Sequence, residues 1–262
     1  MKTIEHKNTT IHYRIFGSGN PVVFLHGFLE DSTMWNEFVT PLTKTNQVIL
    51  IDLPCHGLTR FDGELCSMTF MAETVMAVCE KEKIKSPLVF GHSMGGYVGL
   101  ELAKLIDIKL VLIHSNFWND SEQKKIDRDK VIELVKERKP FFVNTVIPNL
   151  FYTENRQKCQ NTIHYLINRA IEIPTKEICA ATMGLKTRIA NHNVVKNQKV
   201  TIIQGEFDSI MTLNEMNTQI DNHFPQQNIH LIKDCGHMSI WEKPTELFEI
   251  IQQISNKYAF IH

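Results

Sequence analysis

Four short runs, "PVVFLHG", "NQVILID", "PLVFGHS" and "KLVLIHS", constrain this chain more than anything else in it. Each is continuous in apolar, mostly β-branched residues, the pattern of strands buried on both faces. Helical stretches separate them, such as Met68 to Lys83, where Phe70, Val75, Val78 and Cys79 share one face. Strand and helix in alternation imply an α/β fold built on a mostly parallel, doubly wound sheet. "TIHYRIFG" alternates in and out instead and reads as an antiparallel edge strand. "KVTIIQGEFD" and "NIHLIKDCGH" resume the strand pattern late in the chain, with a Thr212–Glu215 capping box between them. Trp241 to Tyr258 closes as an amphipathic helix. With 262 residues, 43% of them hydrophobic, a full core is within reach.

Between "KLVLIHS" and "KVTIIQGEFD" the strand pattern stops. "SEQKKIDRDKVIELVKERK" is a charged amphipathic helix, "PFFVNTVIPNLF" is apolar, and two more helical stretches follow, the second opened by Pro174. The expected organisation is a core of residues 1–116 and 191–262, with residues 117–190 an all-helical insertion between two strands of the sheet, either an added packed layer or a cap over a pocket.

The third run passes straight into a glycine-rich turn and a helix, "LVFGHSMGGYVGLELA". Gly91-His92-Ser93-Met94-Gly95 fits G-x-S-x-G, and its place between a buried strand and a helix makes it a candidate nucleophile elbow. Such a turn lifts a serine above the carboxyl end of the sheet, where open α/β folds bind ligands. A free serine is a weak nucleophile and needs a base, which in turn needs an orienting group. Asp208 ends the strand "KVTIIQGEFD", and His237 follows the next in a Gly-His turn. The order Ser93, Asp208, His237 suits a nucleophile, an orienting acid and a general base.

Glu206 and Asp234 are rival acids read as rim or solvated groups, and Asn116 and Asp120 stand where another acid position would fall. An oxyanion hole needs two N–H groups: Met94 follows the nucleophile, and Phe28 lies in the loop "FLHGFLED". His26, His56 and His92 are expected to brace loops. No histidine or cysteine grouping has metal-ligand spacing, so no metal is expected.

Together "LHGF", "DLPCHGLT", "GHSMGGY", "GEFD" and "CGHM…EKP" resemble the α/β-hydrolase superfamily across nearly the whole chain, and most closely its capped esterase and enol-lactonase-like members. The resemblance implies a cofactor-independent Ser-His-Asp hydrolase with residues 117–190 as a helical cap after the sixth strand, cleaving an ester, lactone or thioester through an acyl-enzyme. Cys55 departs from the pattern, since relatives usually carry glycine there. Ser93 occupies the place of the aspartate nucleophile of haloalkane dehalogenases and epoxide hydrolases, and Met238 that of the lysine of hydroxynitrile lyases. The "HGF" loop and G-x-S-M-G-G elbow also resemble SHCHC synthases of menaquinone biosynthesis, which usually carry arginine where this chain has Tyr97. That lyase is the alternative reading, with Arg128, Arg138, Arg156 and Arg169 expected on a solvated helix face. A ligand receptor on the same fold is the alternative outside catalysis.

Aromatic and thioether side chains in the loops and insertion are candidates for a substrate pocket: Trp35, Phe117, Trp118, Phe142, Phe151 and Met238, beside Phe28. A small-molecule ester is the expected partner. The formal net charge of −1 argues against nucleic acid, and no run is apolar enough for a membrane span. Six scattered cysteines without C-x-x-C spacing, and an N-terminus without an apolar segment, suit a cytoplasmic protein with reduced thiols.

Overall fold

The computed structural model describes residues 1–197, 200–220 and 228–259. Eight strands form one sheet in the order β1-β2-β4-β3-β5-β6-β7-β8. They are β1 (Lys2–His6), β2 (Thr9–Phe16), β3 (Asn20–Leu25), β4 (Asn46–Ile51), β5 (Leu88–His92), β6 (Lys109–Ile113), β7 (Val200–Gly205) and β8 (Ile229–Ile232). From β4 to β8 every pairing is parallel, whereas β1 and β2 run antiparallel to their neighbours. β2 is antiparallel as expected but is not an edge. It is paired on both sides, and the exposed β1 covers it.

The period-2 alternation of the strands sorts their side chains into two cores. Val23, Leu25, Ile49, Ile51, Val89 and Leu112 pack on one face beneath helices α2 (Met68–Lys81) and α3 (Met94–Leu102). Val22, Phe24, Leu50, Phe90 and Ile113 pack on the other, beneath α1 (Asn36–Leu42) and α10 (Pro244–Ala259). The start of α2 is capped by Ser67, whose hydroxyl accepts from Phe70 N at 3.1 Å.

Residues between β6 and β7 build α4 (Glu122–Leu150), α5 (Gln160–Glu172), α6 (Thr175–Thr187) and α7 (His192–Asn197). The charged and apolar stretches read separately in the sequence are one helix, α4, broken at Arg138 (φ −143°, ψ 48°). Pro140 follows two residues later, lacking an N–H for the ladder and crowding the preceding turn, which accounts for the kink. The inward faces of α4 and α5, with Ile178 of α6, make a third apolar core that also takes in Leu29 and Met238 from the loops of the sheet. After β7 come α8 (Leu213–Gln219), capped by Thr212 on Glu215 N at 3.1 Å, and α9 (Ser239–Glu242) just before α10. Among the described residues, no helix is long and apolar enough to cross a membrane.

Candidate active site

The site lies at the carboxyl ends of β3, β5, β6, β7 and β8. Ser93 sits between β5 and α3 with φ 49° and ψ −112°, a left-handed conformation that an L-residue adopts only under constraint. The glycines make that turn possible. A Cβ on Gly91 would meet the Gly95 carbonyl, and one on Gly95 would lie 2.5 Å from Leu25 O and 2.7 Å from His26 O. Neither position has room for any other side chain. The turn is then fixed by Ser93 N donating to Ile113 O at 2.8 Å, and by Ser115 Oγ donating to Ser93 O at 2.7 Å.

His237 and Asp208 meet as the sequence expects. His237 Nδ1 lies 2.9 Å from Asp208 Oδ2 and 3.0 Å from Oδ1. Asp208 Oδ1 also accepts from Ile210 N at 2.8 Å and Met211 N at 3.0 Å. Burial works against the Asp208 charge, but His237 and His114 outweigh it and hold the carboxyl far below the usual range. An ionised acceptor of this kind keeps the proton of a neutral His237 on Nδ1 and leaves the Nε2 lone pair available as a base. The neighbours of His237 are equally fixed: its N–H donates to Leu150 O at 2.8 Å, at the end of α4. Glu242 accepts from Gly236 N, Met238 N and Tyr152 N, at 3.0 to 3.1 Å, tying the His237 loop to the end of α4.

Two further histidines belong to the site: His114, to which the sequence reading gave no role, and His92, which braces loops as expected. His114, at the end of β6, donates from Nδ1 to Asp208 Oδ2 at 3.0 Å and accepts at Nε2 from Ser239 Oγ at 2.7 Å. Burial lowers its pKa from 6.5 to about 4 despite Asp208, so it is neutral at pH 7. Its position after a parallel strand of the sheet was the signal that could have found it. His92 lies 3.0 Å from Glu30 Oε2 through Nδ1 and 3.0 Å from the His237 carbonyl through Nε2. Both partners are acceptors, so both ring nitrogens carry protons. Although burial opposes its charge, Glu30 raises the His92 pKa, and His92 in turn lowers that of Glu30. Glu30 also accepts from Gly27 N at 2.8 Å, so the buried pair joins the β3 loop, the elbow and the His237 loop. His26 braces loops as expected, accepting from Leu53 N at 2.9 Å.

A cavity of about 140 Å³ opens beside Ser93 and His237. Phe28, Met94, Tyr97, Phe142 and Val146 are among its walls. Met94 N–H is the first of the unpaired donors of α3, and Phe28 N–H has no partner among the described residues. Of the other expected pocket residues, Trp35 is fully buried on the opposite face of the sheet, 4.9 Å from the Phe24 ring. Phe117 and Trp118 pack edge to face in the core beneath α2 and α3, and Phe151 and Met238 fill the core under the inserted helices. These five are buried in apolar clusters because large apolar side chains are drawn to the nearest dry interior. Arg128, expected on a solvated face, instead lines the cavity. Arg169 pairs with Asp31, beside the β3 loop.

Glu206 and Asp234 stand away from the imidazoles, with Asp234 N donating to Glu206 at 3.1 Å. Cys55 has φ 72°, which explains the glycine usual at its place, and its thiol is pushed up by Cys66, with burial adding to the effect. Tertiary folding does create one cluster that sequence spacing hid: His114, Asp208 and His237 offer ligand atoms within 4.8 Å of one another. Nδ1 of each imidazole is already hydrogen-bonded to Asp208, so a metal would have to displace both contacts.

The chain belongs to the alpha/beta hydrolase family, whose sequence pattern matches residues 22–171. A thermophilic esterase from Thermogutta terrifontis, solved with malate bound, shares 25% identity and superposes with a TM-score of 0.88 over 97% of this chain and 96% of its own. The enol-lactonase from Burkholderia xenovorans shares the fold, at 17% identity and a TM-score of 0.84 over 97% of this chain and the whole of its own. Among curated sequences, the dihydrolipoyllysine-residue acetyltransferase component of the acetoin cleaving system of Cupriavidus necator is 23% identical over 90% of this chain. This chain spans 64% of that protein, less than two thirds of its length.

Proposed function

We propose that this protein is a serine hydrolase of small carboxylic esters, with Ser93 as nucleophile, His237 as general base and Asp208 as its orienting acid. The observation that carries the reading is the shared cavity of Ser93 and His237, with Asp208 hydrogen-bonded to Nδ1 on the far side of the imidazole. Ser93 Oγ attacks the ester carbonyl as His237 Nε2 takes its proton. The tetrahedral oxyanion is received by the N–H groups of Phe28 and Met94, both unpaired and both at the cavity. His237 returns the proton to the leaving alkoxide, and water repeats the sequence to release the acid and restore Ser93. Residues 117–190 act as the cap, since Arg128 and Phe142 of α4 and Leu185 of α6 wall the cavity. Lactones and thioesters present the same carbonyl and are substrates of the same chemistry.

The test is covalent labelling by a fluorophosphonate together with release of alcohol from a short-chain ester. Both should be lost in Ser93→Ala, which removes only a hydroxyl from a turn held by its glycines. Labelling of another serine, or turnover by the variant, would overturn the assignment.

A further inference from the structure

The cavity is apolar over most of its wall, with Phe28, Phe142, Val131, Val146 and Leu185 around it, but one cationic residue, Arg128, is also among its walls. Arg128 reaches it from α4. Its Nε donates to Asp120 Oδ2 at 3.1 Å, and its terminal nitrogens have no partner among the described residues. Asp120 does not neutralise Arg128, because its other oxygen lies 2.8 Å from Arg188 Nη1. Arg188 is itself held in place. Its side chain is 6% exposed, Nη1 also donates to Leu185 O at 3.0 Å, and Cζ lies 4.2 Å above the ring of Tyr97, another wall of the cavity. Its Nε is buried with no partner among the described residues.

Two guanidiniums therefore share one carboxylate, leaving one positive charge in excess at this end of the cavity. The other acids nearby do not cancel it. Glu30 is paired with His92 and Gly27 N, and Asp208, which keeps its charge against a neutral His114, lies behind His237 and is not one of the cavity walls. A neutral acyl group filling the cavity would strip water from the terminal nitrogens of Arg128 and return no hydrogen bond. A carboxylate would match the guanidinium fork and the excess charge together.

We propose that the cavity selects esters whose acyl chain ends in a carboxylate, received by the terminal nitrogens of Arg128, with Arg188 holding Asp120 behind it. This rests on the serine-hydrolase reading and names its substrate class. The size agrees: about 140 Å³ is close to the cavity of about 150 Å³ that encloses a benzene ring, so the acyl group has roughly six non-hydrogen atoms. The acyl group of a four-carbon dicarboxylic monoester, with about seven non-hydrogen atoms, is close to that size. Hydrolysis adds one water to the monoester anion and yields the dicarboxylate, the alcohol and one proton.

Monoethyl succinate and ethyl succinamate test this, because they share shape and scissile bond and differ only in carboxylate against amide. The wild-type protein should show kcat/KM at least about tenfold higher for the monoethyl succinate anion. Arg128→Gln should lower that ratio about tenfold or more, and Arg128→Lys, which keeps a point charge without the fork, should retain part of it. The ratio is internal to each variant, so a general loss of fold or activity cancels. A wild-type ratio of one or less, a ratio that Arg128→Gln leaves unmoved, or turnover of neither ester would overturn the proposal. Ethyl succinamate hydrolysed without any preference for the anion would sink this inference while leaving the hydrolase reading intact. Loss of that reading would show separately, as turnover that survives Ser93→Ala.

Discussion

Asp208 accepts hydrogen bonds from two imidazoles, His237 at 2.9 Å and His114 at 3.0 Å, both through Nδ1. One carboxylate thus orients the proposed base and is itself held by a neutral histidine whose other nitrogen is fixed by Ser239. Replacing Asp208 by Asn would remove the negative charge and favour the wrong tautomer of His237. We expect kcat to fall about 10⁴-fold, as when a triad acid becomes an amide. Glu206→Gln and Asp234→Asn should each change it by less than about tenfold, since neither carboxylate contacts His237. Steady-state kinetics on one ester would decide, and a larger loss in Asp234→Asn would transfer the role.

His114 acts as a positioning residue in this arrangement. Its N–H draws on the same carboxylate that supports His237, so losing it would leave Asp208 a stronger partner for the protonated base. In His114→Phe the acid limb of kcat/KM against pH should move up by about one pH unit, the equivalent of one hydrogen bond to a charged group. His114→Asn, with an amide N–H able to take the place of Nδ1, should restore the limb. A fall in kcat with the limb unmoved in both variants would reduce His114 to packing.

Stability should depend on pH through the same buried histidines. Burial lowers the His114 pKa from 6.5 to about 4, and that of His56 from 6.5 to about 3. Below pH 6.5 the unfolded chain takes up protons that the folded one refuses, so their contribution is present above 6.5 and lost as pH falls towards 4. His92 has the opposite sign: its raised pKa stabilises at low pH and is lost as pH rises through the folded value. Thermal melting should show Tm falling from pH 6.5 to pH 4, and a flat profile there would contradict neutral, buried His114 and His56.

The Glu30–His92 pair gives a larger mutational effect. Both side chains are at least nine-tenths buried, and Glu30→Gln would leave an uncompensated imidazolium between the β3 loop and His237. Breaking one side of a buried pair costs about 3–5 kcal/mol. Urea unfolding at pH 7 should show a loss of that order, and a change below about 1 kcal/mol would mean that His92 is neutral.

We expect Phe142 to limit the length of acyl chain accepted. It walls a cavity of about 140 Å³, so kcat/KM across a series of p-nitrophenyl esters should peak at a short chain and then fall. Each methylene buried before the peak is worth about 0.8 kcal/mol. Phe142→Ala should move the peak to longer chains. A wild-type profile that climbs steadily with length would indicate an open groove.

How much of this was legible in the residues differs from feature to feature. The elbow was, because Gly91, Ser93 and Gly95 are a local requirement: a sharp turn under close backbone contact tolerates no Cβ at those glycines. So were Asp208 and His237, because parallel strands aim their carboxyl ends at one edge and chain order places the two side by side. What covers that edge was not. Trp35, Phe117, Trp118, Phe151 and Met238 look as apt for a pocket as Phe28 and Phe142, since hydrophobic periodicity shows that a side chain is buried but not against what. Arg128 reads as a charge for solvent, and Asp120 as a distant alternative acid, until α4 folds back across the site and brings Arg128 to the cavity. His114 and Glu30 become meaningful only through partners 94 and 62 residues away, Asp208 and His92. The sequence by itself determined the strand order of the chemistry, because backbone sterics and nearest-neighbour packing act locally. The charge and shape of the cavity were decided by the tertiary structure, because they depend on long-range contacts that no local pattern encodes.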